Sequence, residues 1–265
     1  MAAGEQELRD GICNYVLSIG HDQALEKYRV VSSKPYLIAL SLKTIQGILT
    51  KGQPMNIDCF NLALRKVAYE DLQRFKRRGR MVSMHYMDLK SCDACQLGKG
   101  HKFRTEIDVL QIAKLVFIPC AKRAKFFLIV LDLKSKTVSI LDPYPNYYGL
   151  DNYKHRLQRI SDVLMLVMHV AYPIWNENVF TWNCRIPDYT RSNIDGEASS
   201  YYVLFFMCAW DGKGLLSPVC TDAYELRKEL LIHLLADKGD EFESCSPEEL
   251  RRYLRRYVEM KCCKI

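Results

Sequence analysis

The chain lacks any apolar run longer than about ten residues, half of the ~20 that a membrane-spanning helix needs. VLMLVMHVAY and YYVLFFMCAW therefore read as core segments, and no membrane anchor is expected. Glycine and proline are sparse, 13 and 9 in 265 residues, which excludes collagen-like and low-complexity chains. No Gly/Ser/Pro-rich linker and no internal repeat interrupts the sequence. The simplest partition is thus a helical extension over residues 1–36 and one main domain over 37–265. The start, MAAGEQELRDG, has no basic stretch leading into an apolar one, so no secretory signal is read there and a nuclear or cytoplasmic protein is expected. In such a compartment the 11 cysteines read as reduced thiols rather than a disulfide framework. Neither sign of charge dominates: 38 basic against 31 acidic residues leaves +7, a mild basic excess that selects no partner class by itself.

What is present is an ordinary globular mixture, 49% apolar and 26% charged, enough to fold by burial. Leu8, Ile12, Val16 and Leu17 recur at helical spacing, and a second short helix is expected over Gln23–Tyr28. Ile57, Phe60, Leu64, Val67, Ala68, Leu72 and Phe75 hold one face of a long helix from Asn56. Its basic end, RFKRRGR at Arg74–Arg80, suits the negative pole of the helix dipole. MVSMHYM, KLVFIP, FFLIVLD and KTVSILD are short β-branched or aromatic runs that read as strands, the last two joined by LKSK as a hairpin. A helix near Asn152–Val170, a strand near Val179–Arg185 and helices near Ser200–Trp210, Tyr224–Ala236 and Pro247–Met260 follow. Helices around a small central mixed sheet make an α+β fold.

The stretch KLVFIPCAKRAKFFLIVLDLKSKTVSILDPYP resembles the core of the ubiquitin-like-protein-specific cysteine proteases, the SUMO-protease family with a papain-like fold. PMNIDCFNLALRKV, SNIDGEASSYYVLFFMCAW, DGKGLLSPV and ELRKELLIHLL agree with it in order. The likeness covers roughly residues 38–240 and is clearest with plant members. It implies a papain-like α+β fold, no cofactor, no metal, and a partner that is a ubiquitin-like modifier (SUMO or ubiquitin) or another protein.

The family's chemistry uses a thiolate nucleophile, an imidazole that holds its proton, a carboxylate that orients the imidazole, and a Gln with helix-start amides for the oxyanion. Carried over by position, the His falls on Lys125, the neighbouring Trp on Phe126 and the Asp on Asp142. The nucleophile falls on Ser199, flanked by Ala198 and Ser200, and the Gln on or near Asn193. Of these letters only Asp142 is the family's. No His lies between His101 and His155 and no Cys between Cys184 and Cys208, so a shifted alignment does not restore them. The resemblance therefore implies a degenerate catalytic centre at Lys125, Asp142, Ser199 and Asn193, with Phe126, Ala198 and Ser200 as substrate-side positions, serving as a binding or scaffold module. Lys125, Asp142 and Ser199 are expected to converge, with Lys125 and Asp142 as an ion pair. The substrate channel is expected to accept an extended chain end, with a weaker preference for a diglycine tail because Phe126 is smaller than Trp.

Two other functions compete. An active isopeptidase with a rearranged centre needs a lysine deprotonated near neutral pH, which a nearby Asp142 opposes. A basic nucleic-acid-associated protein rests only on +7 and RFKRRGR, without interleaved aromatic residues or a known module, so nucleic acid is not the expected partner. Cys92 and Cys95, with His85 and His101 nearby, hold zinc-ligand chemistry, but a lone CxxC reads as a thiol-bearing loop. Cys262-Cys263-Lys264-Ile265 lacks the aliphatic interior of a prenylation signal. Tyr144, Tyr147 and Tyr148 are candidates for an aromatic lip.

Overall fold

The computed structural model describes residues 3–34, 36–77, 84–90, 113–122, 124–144, 149–171, 175–187, 196–236 and 248–262. These form two compact units, one of residues 1–63 with 222–265 and one of 64–221, and the chain passes between them at 63/64 and 221/222.

In the first unit, helix α1 (Ala3–Ser18) packs on α7 (Ala223–Leu235) and α8 (Glu248–Cys262). Ile12 and Val16 of its apolar stripe are fully buried. Polar ties join the same elements: Arg9, itself buried, reaches Glu225 at 3.1 Å and Glu229 at 3.5 Å, while Lys228 reaches Asp10 at 2.6 Å and Glu225 at 2.7 Å. Arg227, also buried, donates to the carbonyls of Ile48, Thr50 and Gln53 at 2.9–3.1 Å. These carbonyls lie in the turn that links the helices Leu42–Gly47 and Ile57–Arg77, where buried backbone groups need partners. Helix α2 is only Asp22–Leu25, and Tyr28 opens strand β1 (Tyr28–Ser32), which pairs antiparallel with β2 (Ile38–Ser41). The expected helix to Tyr28 is thus cut short; YRVVS, with two adjacent β-branched valines, prefers the extended state. Ser41 caps α3 (Leu42–Gly47), its hydroxyl accepting the Thr44 amide. Helix α4 (Ile57–Arg77) begins where Asn56 accepts the amides of Asp58 and Cys59, and its last turn carries Arg74, Lys76 and Arg77.

The second unit holds a five-stranded mixed sheet ordered β3 (Met84–Tyr86), β4 (Leu115–Lys122), β5 (Lys125–Asp132), β6 (Thr137–Leu141), β7 (Asn183–Arg185). The central three are antiparallel and the outer two parallel to their neighbours. The hairpin loop is Leu133–Lys136, as LKSK predicts, and Asp132 holds it by accepting the Lys134 and Ser135 amides at 3.0 Å. The region expected as a strand at Val179–Arg185 splits into a 3-10 turn (Val179–Thr181) and β7. Asn178 explains the split by accepting the Phe180 amide.

Every residue from Phe126 to Leu131 in β5 is buried, so both faces of the sheet are covered. Phe127, Ile129 and Leu131 meet α5 (Gly149–Ala171) through Tyr153, Leu157, Ile160 and Leu164, a stripe of helical spacing. By strand alternation Phe126, Leu128 and Val130 face the other side, where α6 (Ser199–Ala209) packs on β5.

Candidate functional site

The positions that the family resemblance singles out lie at one end of β5, where three elements of the second unit meet. β4 turns into β5 through a two-residue connection, with Ala124 in the left-handed region at φ 62°. This places Lys125 as the first residue of β5. β6 pairs with β5 only as far as Leu128, so an amide farther out on that side needs another acceptor. Ser199 supplies it: its Oγ accepts the Phe126 N–H at 2.9 Å. Ser199 opens α6 after a 3-10 turn at Gly196–Ala198, and is 0% exposed.

Lys125 does not pair with Asp142. Its ammonium donates to Glu197 Oε1 at 3.0 Å, on the turn that leads into α6, where a carboxylate also suits the positive helix end. Asp142 follows the last residue of β6 and is fully buried. One carboxylate oxygen accepts the Tyr144 amide at 2.6 Å and the other accepts the Tyr153 hydroxyl from α5. Burial pushes its carboxyl above the ordinary range, and the Tyr153 and Tyr144 hydrogen bonds oppose that rise without cancelling it. The Tyr153 ring stands edge-on to Phe127, centroids 5.1 Å apart. Asp142 is thereby fastened to α5. The expected Lys125–Asp142 ion pair gives way because each partner has a nearer one, Glu197 for the cation and a phenol for the carboxylate.

The structure thus joins Ser199 to the residue next to Lys125, and gives Asp142 separate partners. Phe126, Ala198 and Ser200 are buried, and the buried Ser200 hydroxyl has no hydrogen-bond partner among the described residues. Asn193, Cys92, Cys95, His101, Tyr147, Tyr148 and Cys263 lie outside the described residues. Tyr144 is exposed, and His85 is half-buried in β3. Among the described residues no three His, Cys, Asp or Glu side chains gather as a metal site would require. None of the helices searched among them is long and apolar enough to cross a membrane.

Glu197 and Tyr153 are the two residues of this corner that the sequence reading passes over. An acid two positions before Ser199 was visible as a potential partner for Lys125. Tyr153 reads as one more apolar member of the α5 stripe, and nothing local marks its hydroxyl.

A serine attacks when a base within ~2.6–3.2 Å takes its proton. Here the Ser199 oxygen accepts the Phe126 N–H, and among the described residues neither His155 nor His169, both exposed on α5, is hydrogen-bonded to it.

The chain matches no family model, and no curated protein matches it. Solved structures do match. It is similar to the SUMO protease Ulp1 with its catalytic cysteine oxidised to a sulfonic acid, at TM-score 0.63 and 13% identity over 87% of this chain and 95% of that one. The Ulp1 protease domain in complex with SMT3, the yeast orthologue of SUMO, matches at 0.63 and 12%, over 87% and 95%. The catalytic domain of the Ulp1-like SUMO protease of Chaetomium thermophilum matches at 0.59 and 10%, over 92% and 93%. The fold is that of the Ulp1-type, papain-like SUMO proteases, as the α+β resemblance implies.

Proposed function

We propose that this chain is a non-cutting member of the ubiquitin-like-protease fold that works as a binding or scaffold module for a ubiquitin-like modifier, SUMO or ubiquitin, in the nucleus or cytoplasm. One observation carries the reading: the Ser199 hydroxyl accepts the Phe126 amide while Lys125 is held by Glu197 and Asp142 by Tyr153. Lys125, Asp142 and Ser199 each have a partner outside the trio, which supports structural roles rather than a proton relay. The like fold captured with SMT3 supports a modifier as the partner class. The six cysteines seen as free thiols suit a reducing compartment.

The modifier's tail contributes weakly in this reading, because Phe126, Ala198 and Ser200 expose almost no surface. Incubation with SUMO and ubiquitin carboxy-terminal fusions is expected to give no cleavage, and a modifier vinyl sulfone probe no adduct. Turnover that Ser199→Ala abolishes would overturn the proposal in favour of a rearranged active centre. Calorimetric titration with each modifier, intact and tail-deleted, is expected to show binding in at least one case with little loss on deletion. Absence of binding to both would reduce the module to a scaffold for other proteins.

A further inference from the structure

In the first unit several charged side chains meet an opposite charge, whereas among the described residues two exposed arginines of α8 do not. Arg9 and Lys228 meet Glu225, Glu229 and Asp10, and Lys43 meets Glu26. On α8, Leu250, Leu254 and Tyr257 are buried, and α8 packs on α1. The opposite face exposes Arg252, Arg255 and Arg256. Only Arg252 has a carboxylate near it, Glu249 at 3.8 Å, and Arg255 and Arg256 have no ion-pair partner among the described residues. All four basic residues from 251 to 256 are arginine. Lysine would serve solubility equally well; the planar fork of arginine is suited to bidentate contact with oxyanions.

We propose that this arginine face of α8 docks a short acidic segment of a partner protein. The carboxylates that flank it, Glu249 and Glu259, favour a short acidic segment over a continuous nucleic-acid backbone. Arg252 and Arg256 are one turn apart, about 6 Å along the axis, and alternate residues of an extended chain are about 6.6 Å apart. Acidic side chains at every second position therefore meet successive arginines. Glu249 and Glu259, both exposed, bracket the patch at a separation of about 15 Å. A continuous phosphate backbone crossing it would be repelled at either end, whereas a segment of three or four residues fits between. This docking is independent of the corner at Ser199, so it stands or falls separately from the proposal above.

The test is fluorescence anisotropy on the full chain with three dye-labelled probes: a peptide alternating Glu with Thr, the same peptide with Gln for Glu, and a mixed-sequence DNA duplex. At about 0.05 M salt, where surface charges are weakly screened, the Glu peptide is expected to bind about tenfold or more tightly than the Gln peptide and more tightly than the duplex. Arg255→Glu with Arg256→Glu is expected to weaken Glu-peptide binding by about tenfold, in line with two exposed charge contacts reversed. Lys134→Glu, an exposed change on the β5–β6 turn, is expected to change it by less than about twofold. Circular dichroism checks that the double variant keeps its helix content, and Arg255→Gln with Arg256→Gln replaces it if it does not. Equal binding of the Glu and Gln peptides, tighter binding of the duplex, or an unaltered affinity in the α8 variant overturns the inference.

Discussion

The apolar frame around β5 and the polar corner at its end obey different rules. The frame is built from Phe127, Ile129 and Leu131 against α5, and from Phe126, Leu128 and Val130 on the opposite face. It asks only for volume and period, which many side chains satisfy. The corner at Lys125, Asp142 and Ser199 depends on particular atoms, and the partners are not those of a protease relay. A chain that is 13% identical to Ulp1 shares its fold over 87% of its own length, and a fold does not by itself carry an activity. Tolerance of a fold is thus weak evidence for retention of an activity.

The comparison breaks first at the frame. Phe127 is fully buried, with the Tyr153 ring edge-on to it and the Arg156 guanidinium 5.5 Å from its centroid. Phe127→Ala is expected to cost about 3–5 kcal/mol through lost contacts and a cavity, read as a shifted urea midpoint. A cost under about 1 kcal/mol would show that the core does not depend on this ring.

At the corner, Ser199→Ala leaves the buried Phe126 amide without its acceptor. The expected loss is about 1–3 kcal/mol, with faster hydrogen exchange at Phe126 as the local signature. Unchanged exchange there would mean that the amide has another acceptor in solution.

Asp142 makes a pH prediction. Its folded carboxyl is raised by burial, so the folded state holds the proton more tightly than the unfolded one. Stability therefore falls as pH rises from about 4, where an unfolded Asp titrates, to the folded value, and levels off above it. Asp142→Asn lacks this titration. The stability of the natural chain relative to the variant is expected to decline across that window, by at most about 1.4 kcal/mol per pH unit. A difference that stays flat from pH ~3 to ~7 would show that Tyr153 and the Tyr144 amide fully offset the burial.

The smallest effect belongs to the half-exposed ion pair. Lys125→Gln and Glu197→Gln are each expected to cost less than about 1 kcal/mol, with a coupling of about 0.2–1 kcal/mol in a double-mutant cycle. Zero coupling would leave Ser199 as the main tie between β5 and α6.

Much of the frame was legible because it repeats at fixed periods. The β5–β6 hairpin follows from its short polar connection LKSK, and the helices at Asn56 and Asn152 and near Ser200 follow from apolar spacing and runs. The strand pair Tyr28–Ser32 and Ile38–Ser41 was not legible, since its partner is a second short run with a weak pattern of its own. Nor was the packing of α1 on α7 and α8, which unites residues some 200 positions apart in sequence; local periodicity shows that a helix needs a partner but not which one.

By itself the sequence determined which groups are available at 125 and 199, an amine and a hydroxyl, because the letter fixes the atoms wherever the chain places them. It also determined the α+β frame, through the period of its apolar residues. Only the tertiary structure decided who holds whom at the corner. Lys125 lies closer in sequence to Asp142 than to Glu197, yet its ammonium settles on Glu197 because the turn before α6 places that carboxylate 3.0 Å away. Asp142 meets Tyr153 because α5 crosses the sheet there. A hydrogen bond is directional and lost within about an ångström of its best length, so partners are set by the final positions of whole elements, which no residue's own neighbourhood contains.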